Sequence, residues 1–196
     1  GTASTMGSMV EALGMSLPYN SSNPAISDEK VSECAQIGPA MKLLIEKDIK
    51  PSDIVTKKSL ENALRLITVL GGSTNAVLHF LAISRAANLD LSIDYFQEIS
   101  DSTPYIANLK PSGKYLMKDL HKIGGVPSVL KYMLENKMLN GDCMTVTGKT
   151  IEENLSEIKS PDLKSTDIIF PISNPIKESG HIQILKGNLA EQGCVA

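Results

Sequence analysis

A glycine-rich turn, Gly71-Gly72-Ser73-Thr74-Asn75, precedes an apolar helical stretch and is the sharpest local candidate for chemistry. Glycines let backbone N–H groups approach an anion, and the N-terminus of the following helix favours negative charge. Ser73 or Thr74 could therefore contact a carboxylate or a phosphate. The same pattern also describes a turn in which Thr74 or Asn75 merely caps the helix. The turn lacks the lysine of a P-loop, which argues against a nucleotide site.

A second candidate is the start of the chain, where Gly1-Thr2-Ala3-Ser4-Thr5 opens a helical pattern. Small hydroxyl residues at a helix start leave N–H groups available to a charged group or to a cluster sulfur, although an ordinary cap has the same composition. Because a helix begins at the first residues and Gly193 to Ala196 fall within a strand-like pattern, we expect a chain that is cut at both ends.

Residues that commonly bind metals or act as bases are few and scattered. The three cysteines and three histidines are Cys34, Cys143, Cys194, His79, His121 and His181. No cysteine belongs to a CxxC pair or has a histidine at zinc-ligand spacing, which predicts no metal site and no disulfide scaffold in the chain. His79 lies in an apolar helical stretch and is predicted to be a hydrogen-bonded core residue. His121 and His181 are interpreted as surface residues.

Hydrophobic spacing predicts that helices position these groups. The predicted helices cover Thr5 to Leu17, a stretch from Ser27 or Asp28 that Gly38-Pro39 kinks or splits, a stretch capped by Thr56 that ends at Gly71-Gly72, a stretch from Ala76, Asp94 to Ile99, Met117 to Ile123, and Val129 to Leu139. The stretch from Ala76 is apolar over much of its circumference and is predicted to be buried.

Strand-like patterns are confined to the end of the chain. Met144 to Thr147, Ile168 to Phe170 and His181 to Leu185 have the β-branched or alternating residues typical of strands. The polar, proline-containing segment from Ser160 to Thr166 predicts a boundary between a helical region, residues 1–165, and the start of a β domain, residues 166–196.

Composition narrows the class of partner. With 19 basic and 22 acidic residues, a net charge of -3 and no block of like charge, the chain has no electrostatic feature that favours nucleic acid or anionic membrane. No apolar run is long enough to span a bilayer, and the first residues lack the features of a secretory signal. A cytoplasmic protein that binds a small molecule or another copy of itself is the expectation.

Several stretches together resemble the dihydroxy-acid dehydratase and 6-phosphogluconate dehydratase family, in the family's order and over the whole chain. They are Gly1 to Met6 (GTASTM), Glu11 to Pro18 (EALGMSLP), Gly71 to His79 (GGSTNAVLH), Lys110 to Gly113 (KPSG), Gly124 to Pro127 (GGVP), Thr145 to Gly148 (TVTG), and Gly187 to Ala190 (GNLA). GGSTNAVLH and GNLA are the specific motifs among them.

The resemblance implies an α/β fold: the later, largely helical half of an αβα N-terminal domain, followed by the first strands of a β-barrel-like C-terminal domain. It also implies a hydro-lyase that converts 2,3-dihydroxy-3-methyl carboxylic acids to 2-keto acids in valine and isoleucine synthesis. In such enzymes an iron–sulfur cluster, with Mg²⁺ nearby, acts as Lewis acid on the leaving hydroxyl, while a serine alkoxide removes the α-proton. The parent enzyme is expected to be a homodimer.

The resemblance assigns no catalytic residue and no metal ligand to this chain. Thr2 and Ser4 match the stretch after a cluster cysteine, and Gly72, Ser73, Thr74 and Asn75 are predicted to lie near the active site as well. Gly1 and Ser4 replace the family's more usual aromatic residue and asparagine, a departure shared with its sugar-acid dehydratases. An aldonic-acid dehydratase is therefore an alternative, and a non-catalytic structural or oligomer-forming segment is another. Alone, the chain is expected to be inactive and to expose apolar faces.

Overall fold

The computed structural model describes all residues from Gly1 to Ala196 as ten helices followed by one antiparallel two-stranded sheet. The helices are α1 (Thr2–Ala12), α2 (Asp28–Ala35), α3 (Ile37–Glu46), α4 (Pro51–Ile54), α5 (Lys57–Val69), α6 (Asn75–Ala86), α7 (Ile93–Asp101), α8 (Met117–Lys122), α9 (Gly125–Glu135) and α10 (Ile151–Asn154). The strands are β1 (Ile184–Gly187) and β2 (Ala190–Val195). The fold therefore mixes helix and strand, with the strands after the helices. No helix has the length and hydropathy needed to cross a bilayer.

Helix α5 is the centre of the core and packs against α1, α6 and α7. Its buried residues include Leu60, Leu64 and Ile67, which recur at helical spacing and are fully inaccessible to solvent. The predicted cap is confirmed, because the Thr56 side chain accepts a hydrogen bond from the Ser59 backbone N–H. Since α5 leads directly into the Gly71 to Asn75 turn, the best-packed helix of the chain carries that turn.

The first helix begins earlier and ends earlier than the sequence predicts. It starts at Thr2 and stops at Ala12, well before Leu17. Gly14 adopts a left-handed backbone with φ of 86°, and a Cβ there would lie 2.8 Å from the Met144 carbonyl oxygen. The Gly14 carbonyl in turn accepts a hydrogen bond from the Val146 N–H at 2.8 Å. Gly14, rather than Pro18, therefore ends the helix.

Helices α2 and α3 form the predicted split helix. Ser27 caps α2 by accepting a hydrogen bond from the Lys30 N–H, and the break falls at Gln36, two residues before Gly38. Helix α3 has no buried residue and exposes Ile37, Met41 and Ile45 on its surface. The expected exposure of apolar faces is thus found here, on a pair of helices that contributes nothing to the core.

Two of the three predicted strands are wrong. Met144 and Ile169 each form only an isolated bridge, with Thr150 and Ala107 respectively, and residues 145–149 form a turn. The apolar side chains of Ile168 and Ile169 are instead buried in the main core. Their apolar sequence pattern therefore reflects burial and not the pairing of strands in a sheet. The third prediction is confirmed in part, because β1 begins at Ile184, three residues after His181.

The prediction of a buried α6 is also wrong. Ala76, Val77 and Phe80 face the core, but Leu78 is 67% exposed and His79 is exposed, so His79 is not a core histidine. Residues at positions 76, 77 and 80 share one helical face, and no other element covers the face that carries positions 78 and 79. Helix α6 has more apolar residues than the other elements of the chain can cover.

Candidate functional site

The start of α1 and the turn before α6 lie against each other and form a cluster of hydroxyl and amide side chains. The Asn75 side-chain N–H donates to Thr2 Oγ1 at 2.8 Å, and Thr2 Oγ1 lies 3.1 Å from Ser73 Oγ. The Ser73 backbone N–H donates to Thr5 Oγ1 at 3.0 Å. We name Thr2, Thr5, Ser73 and Asn75 the hydroxyl cluster. The structure thus joins the two candidate regions of the sequence into one place.

The two glycines of the turn permit this close approach. Gly71 adopts a left-handed backbone with φ of 68°, and a Cβ there would lie 2.5 Å from the Tyr105 ring. At Gly72 a Cβ would lie 2.8 Å from the Thr5 side-chain methyl and 3.1 Å from the Ile67 carbonyl oxygen. A side chain at either position would push the turn away from its neighbours, so the GG pair sets the geometry of the cluster.

The electrostatics at the cluster favour an anion. No acidic residue occupies the first turn of α1, so the positive end of the helix dipole lies at the cluster without a neighbouring carboxylate. Neither Thr74 nor Asn75 caps α6 through its side chain. Ser73 Oγ instead accepts from the Asn75 backbone N–H at 3.4 Å, so the turn caps the helix from a residue other than the two predicted. Thr74 is exposed, and the first amides of α6 bond within the turn, Ala76 N–H to the Ser73 carbonyl at 3.0 Å. The first amides of α6 are therefore occupied within the turn.

Ser4 and Gly72 line a cavity of about 20 Å³ beside the cluster, together with Lys110. The loop that carries Lys110 approaches the turn directly, since Ser112 Oγ donates to the Gly71 carbonyl at 3.3 Å. Neither Lys110 nor Ser112 is among the site residues predicted from the sequence. Both fall within the Lys110 to Gly113 motif, which was the available signal that this loop belongs to the same site.

His181 is a further neighbour of the turn, and its interpretation as a surface residue is wrong. Its Nε2 lies 2.6 Å from the Gly72 carbonyl oxygen, and its ring centroid lies 5.2 Å from that of Tyr105. Burial lowers the pKa of His181 below 6.5, and the nearby Lys177 charge acts in the same direction. No local pattern in the sequence marks this residue, because it meets Gly72 only through the tertiary fold.

The cysteines do not fit an iron–sulfur cluster. Cys34 and Cys194 are exposed on α2 and β2, whereas Cys143 is buried, and no group of three or more His, Cys, Asp or Glu side chains could hold a metal ion. Burial raises the pKa of the Cys143 thiol to about 11, which is the opposite of what a thiolate ligand needs. The hydroxyl cluster itself offers no thiolate, imidazole or carboxylate.

A larger cleft of about 820 Å³ lies elsewhere, between the α2–α3 pair and the body of the protein. Tyr19, Glu33 and His121 are among its lining residues, and none of its lining residues belongs to the hydroxyl cluster. His121 is half-buried there, and its Nδ1 has no hydrogen-bond partner. The cleft owes its size to α3, which packs loosely, so volume alone does not identify it as a site.

Comparison with known proteins gives a consistent result. The family profile described as "Dihydroxy-acid/6-phosphogluconate dehydratase N-terminal" matches residues 1–154. The chain is 60% identical over 195 residues to a dihydroxy-acid dehydratase of Lactococcus lactis subsp. cremoris and 58% identical over 196 residues to that of Flavobacterium psychrophilum. It is 55% identical over 195 residues to a chloroplastic dihydroxy-acid dehydratase of Arabidopsis thaliana. All of this chain is covered, but only 34%, 35% and 32% of these relatives, so the chain spans about a third of their length.

Proposed function

Because the chain belongs to the dihydroxy-acid/6-phosphogluconate dehydratase family, we propose that it is part of a dihydroxy-acid dehydratase. The whole enzyme would remove water from 2,3-dihydroxy-3-methyl carboxylic acids and release 2-keto acids, as in valine and isoleucine synthesis. The observation that carries this proposal is the identity of 55 to 60% to three proteins named dihydroxy-acid dehydratase, over the full length of the chain.

We assign the hydroxyl cluster and its neighbours to the edge of the substrate site. Thr2, Ser4 and the turn from Gly72 to Asn75 would bind and orient the acid. The N-terminus of α1 suits a substrate carboxylate, because the helix dipole is positive there and no acidic residue lies in the first turn. Thr2 and Ser73 add hydroxyls that can accept or donate at the same point.

The iron–sulfur cluster and Mg²⁺ implied by the family would supply Lewis-acid assistance to the leaving hydroxyl. The residues of this chain do not fit either group, so we assign the ligands to polypeptide outside the chain. The proposed αβα and β-barrel-like architecture with a boundary near residue 165, the homodimer and the cytoplasmic location likewise belong to the whole enzyme.

The test is turnover by the complete gene product that contains this chain. We expect 2-keto acid from 2,3-dihydroxy-3-methylbutanoate, with a kcat/KM well above that for gluconate. A preference for the aldonic acid would instead support the sugar-acid dehydratase suggested by Gly1 and Ser4. Failure to form keto acid from either, in protein with its full iron and sulfide content, would refute the proposed reaction.

The assignment of Ser73 to the substrate site is tested by single substitutions, separately from the reaction. Ser73→Ala removes one hydroxyl of the cluster, and we expect kcat/KM to fall about tenfold, the effect of one lost hydrogen bond in the transition state. Ser52→Ala, at an exposed serine of α4, is the matched control and should leave kcat/KM unchanged. Equal activities of the two variants would remove Ser73 from the site without touching the assignment of the reaction.

A further inference from the structure

We propose that His181 is a positioning residue that fixes the glycine turn of the candidate site from the C-terminal segment of the chain. It acts through the Gly72 carbonyl, which its ring meets at 2.6 Å. The contact joins residues that are 109 positions apart in sequence. The kinetic part of this inference rests on the proposed function, whereas its structural part does not.

The hydrogen bond to Gly72 determines which nitrogen of the His181 ring carries the proton. A carbonyl oxygen can only accept a hydrogen bond, so Nε2 must carry the proton. Nδ1 is buried and has no partner, so in the neutral ring it is an unpaired acceptor, and in the charged ring it would be an unpaired donor. The second state also buries a positive charge near Lys177. The neutral tautomer protonated on Nε2 is therefore the one that the site accommodates.

The backbone on both sides of His181 is held against α7. The Gly180 N–H donates to the Ser100 carbonyl at 2.7 Å, and Ser100 Oγ donates to the Ile182 carbonyl at 2.8 Å. The side chain of Ile182 is buried in the core. Because its two neighbours are anchored to one residue, the ring of His181 is delivered to the turn by rigid structure and not by a loose loop.

The turn that receives this contact leads directly into the hydroxyl cluster. The Gly72 carbonyl accepts from His181, and the next residue, Ser73, donates its N–H to Thr5 and brings its hydroxyl to Thr2. Tyr105 packs against both the His181 ring and Gly71, which closes the same side of the turn. Loss of the His181 donor would leave the Gly72 carbonyl without its side-chain partner and free the turn to rotate away from Thr2.

The groups that face His181 set its response to pH. Lys177 is the charged neighbour, and it opposes protonation of the ring; Tyr105 stays neutral because burial raises its pKa. Acid must therefore bring the ring to a state with a buried, unpaired Nδ1–H. The hydrogen bond to Gly72 favours the charged ring, but burial outweighs it and lowers the pKa of His181. Below that lowered pKa the charged ring should leave its buried position, and the turn should then lose its anchor.

The first measurement uses the complete gene product and needs no catalysis. Nitrogen NMR of the His181 ring should show a protonated Nε2 and an unprotonated Nδ1 at pH 7.5. The backbone amide signals of Ser73 to Asn75 should shift in His181→Leu and stay close to wild type in His181→Gln, whose side-chain N–H can still donate to Gly72. His121→Leu is the matched control, because His121 also has an unpartnered Nδ1 but does not contact the turn.

The second measurement uses the complete enzyme. His181→Leu should lower kcat/KM about tenfold, the upper range for one lost hydrogen bond, and His181→Gln should restore most of it. Wild type should also lose kcat/KM on the acid side of the pH profile, and His181→Gln should lack that loss. If His181→Leu fails to fold, the ring tautomer of the wild type and the behaviour of His181→Gln still decide the question.

The inference is overturned if the ring is protonated on Nδ1, or if His181→Leu leaves the turn signals where wild type has them. Turn signals that shift as expected in an enzyme that forms no keto acid would refute the proposed function and leave the contact standing. Equal loss of kcat/KM in the Gln and Leu variants, without a change in the pH profile, would reduce His181 to a residue that only fills space.

Discussion

The buried carboxylate of Glu11 provides a quantitative test of the packing of α1. Glu11 is 6% exposed, and one of its oxygens accepts from the Tyr19 N–H at 2.8 Å. The other accepts from the Ser21 N–H at 2.9 Å and the Ser21 hydroxyl at 2.6 Å. Burial nonetheless raises the pKa of Glu11 from 4.5 to about 7, against the hydrogen bonds and with a contribution from the charge on Glu33. The perturbation is Glu11→Gln, which keeps the shape and removes the titration.

The sign and size of the expected change in the free energy of unfolding follow from the difference in the Glu11 pKa between the folded and unfolded states. A raised pKa in the folded state gives stability that is fully present below about pH 4.5 and is lost as the pH rises through about 7. At ~1.4 kcal/mol for each pH unit, a rise from 4.5 to about 7 corresponds to about 3 kcal/mol. The free energy of unfolding of wild type, relative to Glu11→Gln, should therefore fall by about 3 kcal/mol between pH 4.5 and pH 8.

Urea unfolding of both proteins across this range measures that difference, and the titrations of groups that do not interact with Glu11 cancel in it. Carbon NMR of the Glu11 carboxyl group should independently give a midpoint near pH 7. Glu29→Gln is a control of opposite sign, because hydrogen bonds lower the pKa of this exposed carboxylate, and the relative stability of wild type should rise with pH. A Glu11 difference that is constant or grows with pH would refute the reasoning, since the three hydrogen bonds would then outweigh burial.

Three further predictions concern packing and reactivity. Gly72→Ala should lower the free energy of unfolding by about 1 to 3 kcal/mol, because the added methyl group would overpack against α1. Gly38→Ala, in a helix with open space around the glycine, should not lower it. Equal effects of the two substitutions would contradict the close approach of the turn to α1. In native protein at pH 8 two of the three thiols should react quickly with a disulfide reagent, and Cys143 only after unfolding; fast reaction of all three would contradict its burial. Leu64→Ala should cost about 2 to 5 kcal/mol by urea unfolding and Ile45→Ala less than ~0.5 kcal/mol, so similar costs would refute the assignment of α5 as core and α3 as surface.

The helices could be predicted from the sequence because their caps and spacing are local. Ser27 and Thr56 start helices as predicted, and each does so by bonding an N–H three residues ahead. The strand predictions at Met144 and Ile168 failed because an alternating or apolar run describes burial equally well. For α6 the spacing was correct but the exposure of His79 was not, since burial depends on which other elements are present to cover a face.

The candidate site was predictable only in its parts. Composition marked Thr2 and the Gly71 to Asn75 turn separately, yet the hydrogen bond from Asn75 to Thr2 spans 73 residues and is invisible to local patterns. The resemblance to a family predicts that both parts lie near one active site, but it does not give their contact. His181 could not be predicted as a neighbour of the turn, because neither its neighbours in sequence nor its residue type distinguishes it from a surface histidine.

The contact between the two parts follows from one helix pair. Helix α1 packs along α5, and the turn continues directly from the end of α5, so the register of these helices decides which residue of α1 reaches the turn. A shift of one residue rotates a helix position by about 100° and moves it by ~1.5 Å, enough to turn Thr2 away from Ser73. The fully buried Met9 and Ala12 prevent such a shift, because each must enter the core at its own place on α1. Core packing at one end of α1 therefore determines the polar contact at the other end. A substitution at Met9 should disturb the hydroxyl cluster although Met9 is not one of its residues.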